Sequence, residues 1–177
     1  MRKLNSIIFF GLFVLISSFT ILASSWKIDD NFRIHFAGNS VEGIFENFSG
    51  QIIFDENDLA SSKFSLNIKV ESISTGNWLK NRHAKNDNWF DSEKYPNIVF
   101  KSSKFSKTAN GFNVKGFLKM HGIEKEIAIP FTFVNNTFKG NFSVNRIDYG
   151  IGTLEGMSKK VSNEIKIDFV VPVTKEK

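Results

Sequence analysis

The chain contains no cysteine. A disulfide scaffold, a thiolate metal site and thiol catalysis are thereby excluded. Histidine is scarce: His35, His83 and His121 lie far apart and form no HExxH-type pair, so no metal site and no cofactor is expected. Tyrosine is reduced to two residues and proline to three, while phenylalanine reaches 20. The apolar content is therefore weighted towards flat rings without a polar tip. Concentrated positive charge is lacking as well. The net charge of +5 comes from lysines spread along the chain, with no basic stripe of the kind a nucleic-acid groove requires. No Ser-centred elbow or phosphate-binding glycine loop occurs. Nor does any internal repeat, low-complexity tract or linker divide the 177 residues, and a single folded domain is expected.

The first 25 residues have the three-part layout of a secretory signal peptide. Arg2 and Lys3 form the positive start, and Ile7 to Ile16 is an apolar run interrupted only by Gly11. Ala23-Ser24-Ser25 supplies small residues for cleavage before Trp26. A spanning helix needs about 20 apolar residues, and this run is shorter. No cysteine follows to take a lipid anchor. Residues 1–25 are read as a signal peptide and 26–177 as the folded domain, carried across the inner membrane to the periplasm. Sixteen of the phenylalanines fall in the mature part, so they belong to the fold and not to the leader.

Beyond the leader the dominant pattern is alternation of apolar and polar residues, the period of a half-buried strand. Phe64, Leu66, Ile68 and Val70 alternate with Ser65, Asn67 and Lys69. The same period runs through Phe112, Val114, Leu118 and Met120, through Ile127, Ile129, Phe131 and Phe133, and through Phe138, Phe142 and Val144. It returns at Ile165, Ile167, Phe169, Val171 and Val173, and more weakly at Ile98, Phe100 and Ser102. Asn110-Gly111, His121-Gly122 and Asn135-Asn136 mark turns between runs. Ser49-Gly50 bends a strand without ending it. Eight strands are expected, near 27–36, 41–55, 62–73, 97–107, 112–121, 125–134, 137–147 and 161–173. Residues 75–92 do not alternate. Asn77 is placed to cap a short helix inserted between the third and fourth strands, and 150–160 reads as a glycine-bearing loop.

Strands with one apolar face must hide it in a sandwich or a closed barrel. Hairpin-linked strands in this number fit an all-β, eight-stranded antiparallel up-and-down barrel, which also removes exposed edges. Strands of about 11 residues at ~3.3 Å each, tilted by about 40°, give a barrel roughly 28 Å high. Eight strands enclose either a packed lumen or room for one ligand. Periodicity alone leaves the two open.

Four stretches resemble the signatures of the YceI-like family of lipocalin-like, polyisoprenoid-binding bacterial proteins. They are Ser72-Ile73-Ser74-Thr75-Gly76-Asn77 followed by His83, Phe90-Asp91-Ser92-Glu93-Lys94-Tyr95-Pro96-Asn97-Ile98-Val99-Phe100-Lys101-Ser102, Val114-Lys115-Gly116-Phe117-Leu118-Lys119-Met120-His121-Gly122, and Asn145-Arg146-Ile147-Asp148-Tyr149-Gly150. Their order and spacing match over about residues 26–173. The chain departs from the family at Lys80-Asn81, at Ala84 and at Trp89. The resemblance implies a lipocalin-like barrel with an elongated apolar cavity for a polyisoprenoid or similar long-chain lipid, in an exported protein.

On this reading the lumen is lined by Phe64, Leu66, Ile68, Val70, Phe100, Phe112, Val114, Leu118, Ile127, Ile129, Phe131, Phe133, Phe142, Val144, Ile165, Ile167 and Phe169, and the mouth or lid by Trp78, Arg82, His83, Trp89 and Phe90. His35 is placed on the first strand facing inward, and Arg146 and Asp148 are expected to pair with each other or with Glu155. The expected role is binding and transport, with no catalytic residue. The expected partner is the long-chain isoprenoid or fatty lipid, with transient contact at a membrane surface and no nucleic acid. A dimer is left open. Two alternatives stand beside this reading. One is an envelope hydrolase or isomerase using His83 as base with Asp87, Asp91 and Glu93. The other is a ligand-free interaction module.

Overall fold

Alternating side chains become a wall with an inside and an outside once the strands close on themselves. The computed structural model describes residues 24–176; the expected leader lies outside them except for its last two residues. The strand segments are β1 (Ser25–Ile28), β2 (Arg33–Gly38), β3 (Val41–Phe45), β4 (Phe48–Ile53), β5 (Lys63–Lys69), β6 (Ile73–Ser74), β7 (Asn97–Thr108), β8 (Gly111–Met120), β9 (Ile123–Val134), β10 (Thr137–Asn145) and β11 (Glu164–Lys175). One helix, α1 (Trp78–Lys85), sits between β6 and β7. Every neighbouring pair is antiparallel.

The segments make eight staves. β1 and β2 are two halves of one, since both pair with β11: Ile28 lies opposite Val173, and Arg33 opposite Val170. β3 and β4 are the halves of the next, pairing with β2 and β1 respectively. β5 and β6 form the third, separated by a 3-10 turn at Val70–Ser72. β7 to β11 are unbroken and follow in order. The pairing of β11 back onto β1 and β2 closes the cylinder. This is the expected eight-stranded antiparallel barrel with its helix between the third and fourth staves.

Two interruptions differ from the expected strand limits. The first stave breaks at residues 29–32, where Pro172 on β11 lends only its carbonyl, accepting from the Asp29 amide at 3.0 Å. The second breaks at residues 46–47, three residues before the expected bend at Ser49-Gly50. Gly50 stays inside β4 with φ at 144°, and a Cβ there would lie 2.2 Å from the Ser65 carbonyl oxygen. A register shift between Ser102 and Lys104 explains why β7 looked weak. The extra residue moves the inward set from Ile98 and Phe100 to Phe105, so the apolar period changes phase within one strand.

Inward side chains divide the interior into two zones. At one end Phe54, 1% exposed, lies at the centre of a ring cluster. The rings of Phe64, Phe105, Phe112, Phe131, Phe133 and Phe138 surround it at centroid distances of 5.2–6.2 Å, mostly edge to face. Trp26 closes the end, its indole N–H donating to the Phe54 carbonyl at 2.9 Å. Further along, three inward glycines are covered by rings. A Cβ on Gly43, Gly116 or Gly140 would meet Phe36, Phe100 or Phe169 at 2.6–2.7 Å. The missing side chains let each ring lie flat against the wall, which keeps aromatic bulk out of the axis.

Phe54→Ala removes the hub of the plug and is expected to lower the unfolding free energy by about 3–5 kcal/mol. Chemical denaturation followed by tryptophan fluorescence checks it. A midpoint equal to that of the unaltered protein would mean that the cluster does not hold this end together.

Candidate ligand chamber

The zone beyond the plug is hollow. Its deep part has a volume of about 120 Å³ and is walled by Phe, Ile, Leu and Val side chains alone. A wider part of about 440 Å³ lies towards α1. The two share Ile34, Ile68, Ile98, Leu118, Phe142 and Ile167, so they meet at a waist formed by side chains from six staves. One continuous apolar tube therefore runs from the mouth to the phenylalanine plug.

The mouth is built from α1, from the loop after it and from the segment between β10 and β11. Asn77 caps α1 as its side-chain type predicts, accepting from the amides of Leu79 and Lys80 at 3.0 and 3.1 Å. Asn81 Oδ1 accepts from the Thr75 amide and hydroxyl at 2.8 and 2.7 Å, tying the helix to β6. At the other end Lys85 Nζ meets Glu71 Oε2 at 2.9 Å, and the buried Ser92 hydroxyl donates to the same carboxylate. These bonds from Ser92 and Lys85 hold the Glu71 carboxyl below its ordinary value. No residue of α1 is buried. Side-chain anchors at both ends, and not an apolar face, fix the helix over the mouth.

Arg146 organises the opposite rim. It is 3% exposed and sits in a 3-10 turn, Arg146–Tyr149. Its Nε donates to the Ser162 carbonyl at 3.1 Å and its Nη1 to that of Ile151 at 2.8 Å. Nη2 reaches the carbonyls of Thr153, Ser158 and Val161 and Asn163 Oδ1 at 3.0–3.3 Å. The Trp89 ring lies 5.4 Å from the guanidinium carbon. Burial lowers the pKa of this group from its ordinary value. The expected pairing with Asp148 or Glu155 is thus corrected: Arg146 binds neutral oxygens, because the loop folds around it and presents carbonyls on every side. Asp148 points outward and meets Lys125 at 3.4 Å.

The expected lumen residues fall into three places. Phe64, Leu66, Ile68, Phe100, Val114, Leu118, Ile129, Phe131, Phe142, Val144, Ile165, Ile167 and Phe169 line the tube. Phe112 and Phe133 stand in the plug. Val70 and Ile127 pack against the core without bordering the tube, Val70 because its residue belongs to the 3-10 turn after β5. At the mouth, His83, Trp89 and Phe90 border the opening. Trp78 does not: it is 73% exposed and Arg82 also faces solvent, because the first turn of α1 projects past the wall.

Strand alternation turns His35 outward between the buried Ile34 and Phe36, against the expected inward placement. Its ring nitrogens lie 3.0 Å from Glu42 and 3.8 Å from Asp168. His121 is in a turn and shares a hydrogen bond of 3.0 Å with the Tyr149 carbonyl. Asp87, Asp91 and Glu93 do not border the mouth as His83 does. Among the described residues no group of three or more His, Cys, Asp or Glu could hold a metal ion.

Several lining residues escape a reading of the long alternating runs. Ile34, Phe36, Phe45, Phe48 and Ile52 come from the short halves of the first two staves, where each run is too brief to show a period. Ile151, Lys160 and Val161 come from the glycine-bearing loop, which folds back over the opening. No local signal marks them.

Comparison with known proteins gives a consistent picture. The family model described as the YceI-like domain matches residues 19–173. A UPF0312 protein of Photorhabdus laumondii is 31% identical over 124 residues, covering 66% of this chain and 65% of that protein. The chain thus matches just under two thirds of that relative's length. The crystal structure of Burkholderia cenocepacia BcnA superposes with a TM-score of 0.77 at 28% identity, over 83% of this chain and 99% of that one. A polyisoprenoid binding domain from Saccharophagus degradans shares the fold, with a TM-score of 0.65 at 19% identity over 88% of this chain and 99% of that one.

Arg146→Met leaves buried carbonyls without donors. It is expected to cost about 3 kcal/mol and to open residues 151–163 to limited proteolysis before the barrel unfolds. Equal protease resistance of the two proteins would refute the role given to Arg146. The Glu71 tether has a defined pH sense. A carboxyl lowered in the folded state contributes stability above its unfolded value and loses it as pH falls through the folded value. Amide protection factors in α1, which correct for the intrinsic pH dependence of exchange, are expected to fall on acidification in the unaltered protein. In Glu71→Gln they are already low at neutral pH.

Proposed function

The chain belongs to the YceI-like domain family, and from that premise we propose that it is an exported carrier that holds a polyisoprenoid or similar long-chain apolar lipid inside its barrel. The observation that carries this reading is the open tube. Its deep part of about 120 Å³ opens into a wider part of about 440 Å³, both walled mainly by hydrocarbon and rings, and the far end is closed by the Phe54 cluster. Such a site rewards length and dryness, since each buried methylene contributes about 0.8 kcal/mol. A chain of about 20 carbons gains roughly 16 kcal/mol gross by the same measure, against which stand the lost freedom of tail and complex. The fold shared with the Saccharophagus polyisoprenoid binding domain supports the class of guest. Binding is favoured over catalysis because the acidic residues near His83 do not border the mouth.

The layout of residues 1–25 supports export to the periplasm. β1 begins at Ser25, and the Ser24 carbonyl accepts from the Phe54 amide at 3.0 Å, so the wall takes in the last two residues of the expected leader. Among the described residues no helix is long and apolar enough to cross a membrane. The rim nevertheless suits transient contact with a bilayer surface. Trp78 and Leu79 on α1 and Leu154 in the facing loop are exposed, close in sequence to Lys80, Arg82, Lys159 and Lys160. A lipid insoluble in water passes most readily between bilayer and tube where apolar rim residues enter the interface.

Organic extraction of the purified protein is expected to release one long-chain lipid per chain, identified by mass spectrometry. Ile165, half-buried on the wall of the wider chamber, offers the control. Ile165→Glu places a carboxylate against the tail and is expected to reduce uptake of a fluorescent polyprenyl probe at least about tenfold, with the melting temperature little changed. Undiminished uptake would show that the probe binds elsewhere.

A further inference from the structure

We propose that the barrel wall has a second opening, a side port between its first two staves, and that the far end of a tail too long for the tube leaves through it past Phe48. The inference rests on the carrier reading and adds which guests the tube takes, polyprenyl chains longer than the cavity itself.

The strand register carries it. The first two staves pair with each other at both ends and not between. Ser25 and Trp26 lie opposite Ile53 and Ile52, and Ile34 to Gly38 lie opposite Phe45 to Val41. No ladder pair joins residues 27–33 to residues 46–51. On their other sides both stretches stay attached, Ile28 to Val173 and Phe48 to Gln51 to Ile68 to Ser65. The separation has a cause in the neighbouring ladder. From Ile28 to Arg33 the first stave takes five steps, while β11 takes three from Val173 to Val170. An excess of residues on one strand bends it out of its ladder.

A hollow of about 400 Å³ lies at this gap, bordered by Ser25 to Ile28, Phe48 to Gln51 and Glu176. Phe48 borders the deep part of the tube as well, so one ring stands here between outside and inside. Phe32, from the first stave, meets it edge to face at 5.5 Å, and neither ring is fully buried. Gly50 falls in the inward phase between Phe48 and Ile52, adds no side chain and is exposed. Opening a paired wall breaks ladder hydrogen bonds. Opening this stretch requires only that a ring turn aside, a change of rotamer.

The tube is also short for its class of guest. Parts of about 120 and 440 Å³ hold on the order of 20 carbons, at about 30 Å³ for a group the size of water. Beyond them the Phe54 cluster blocks the axis, and Trp26, which closes that end, borders the hollow. A longer tail either folds back through the waist or leaves through the wall, and the hollow lies where the axis is blocked.

Gln51, exposed on the rim of the hollow, gives a single labelling site in a chain free of cysteine. The delipidated mature protein carrying bimane at Gln51→Cys is titrated with geranylgeraniol, which matches the capacity of the tube, and with solanesol, a polyprenol more than twice as long. Native mass spectrometry counts the bound guest. Solanesol is expected to shift the bimane emission to the blue, saturating at one per chain, while geranylgeraniol binds and leaves the emission unchanged. The same label at Lys115→Cys, exposed on the opposite wall, is expected to respond to neither. In Phe48→Trp, with its melting temperature as the control for folding, solanesol is expected to bind at least about tenfold more weakly and geranylgeraniol less than about threefold. Solanesol that binds without shifting the signal at residue 51, or that shifts it equally at residue 115, overturns the port. So does uptake of geranylgeraniol with rejection of solanesol, the behaviour of a tube closed at its far end. An equal effect on both alcohols in Phe48→Trp overturns the assignment of Phe48 as the gate. Uptake of neither alcohol overturns the carrier reading and the port together.

Discussion

Closing eight strands fixes the width of a tube, and side-chain volume along its length then decides where that tube is solid. In this barrel the volume is distributed unevenly. Six phenylalanines gather around Phe54 at one end and fill the cross-section with mostly edge-to-face contacts. Beyond the plug the wall mixes rings with Ile, Val and Leu, and glycines at 43, 116 and 140 let Phe36, Phe100 and Phe169 lie flat against it. The plug supplies buried area for stability, and the hollow half forgoes some of it. A chain without disulfides tolerates the cavity because the closed end and the hydrogen-bonded wall supply the rest.

The four sequence signatures meet in space, and they do so around the mouth. Asn77 caps α1, Ser92 and Glu71 fasten its far end, Tyr95 packs on His121 at 4.8 Å, and His121 reaches the Tyr149 carbonyl. Arg146 gathers the loop that follows. These residues act mainly as a brace that holds an irregular rim open over a regular cylinder. Irregular backbone at a barrel opening has no ladder partners for its carbonyls, so side-chain donors take their place. The chemistry at the rim is then set by residues the brace presents and does not itself consume, Lys80 and Lys160 among them.

Much of this was legible before the structure. Alternation in the long runs gave the number of strands, their order and the inward set for β5 and for β8 to β11, because a period of two assigns each residue to a face wherever a strand is long enough to show it. Asn77 and the turn glycines located the insertion and the hairpins. Other features were hidden for physical reasons. β1 to β4 are four to six residues long, too short for a period to stand out. The bulge in β7 shifts its phase. The partners of Arg146 are backbone carbonyls, which have no identity in a sequence, and so a search for acids nearby pointed to the wrong groups.

The amino-acid order by itself determined an all-β chain with eight inward-facing apolar rows and one capped helical insertion, because strand period and turn chemistry are local properties. Only the tertiary structure decided that the lumen is plugged at one end and open at the other. That outcome depends on which rings reach the same level of the cylinder, and level is set by register between strands far apart in the chain. The same holds for the cationic rim. Lys80 and Lys160 are 80 positions apart in the sequence, and closure of the barrel brings both to a single opening.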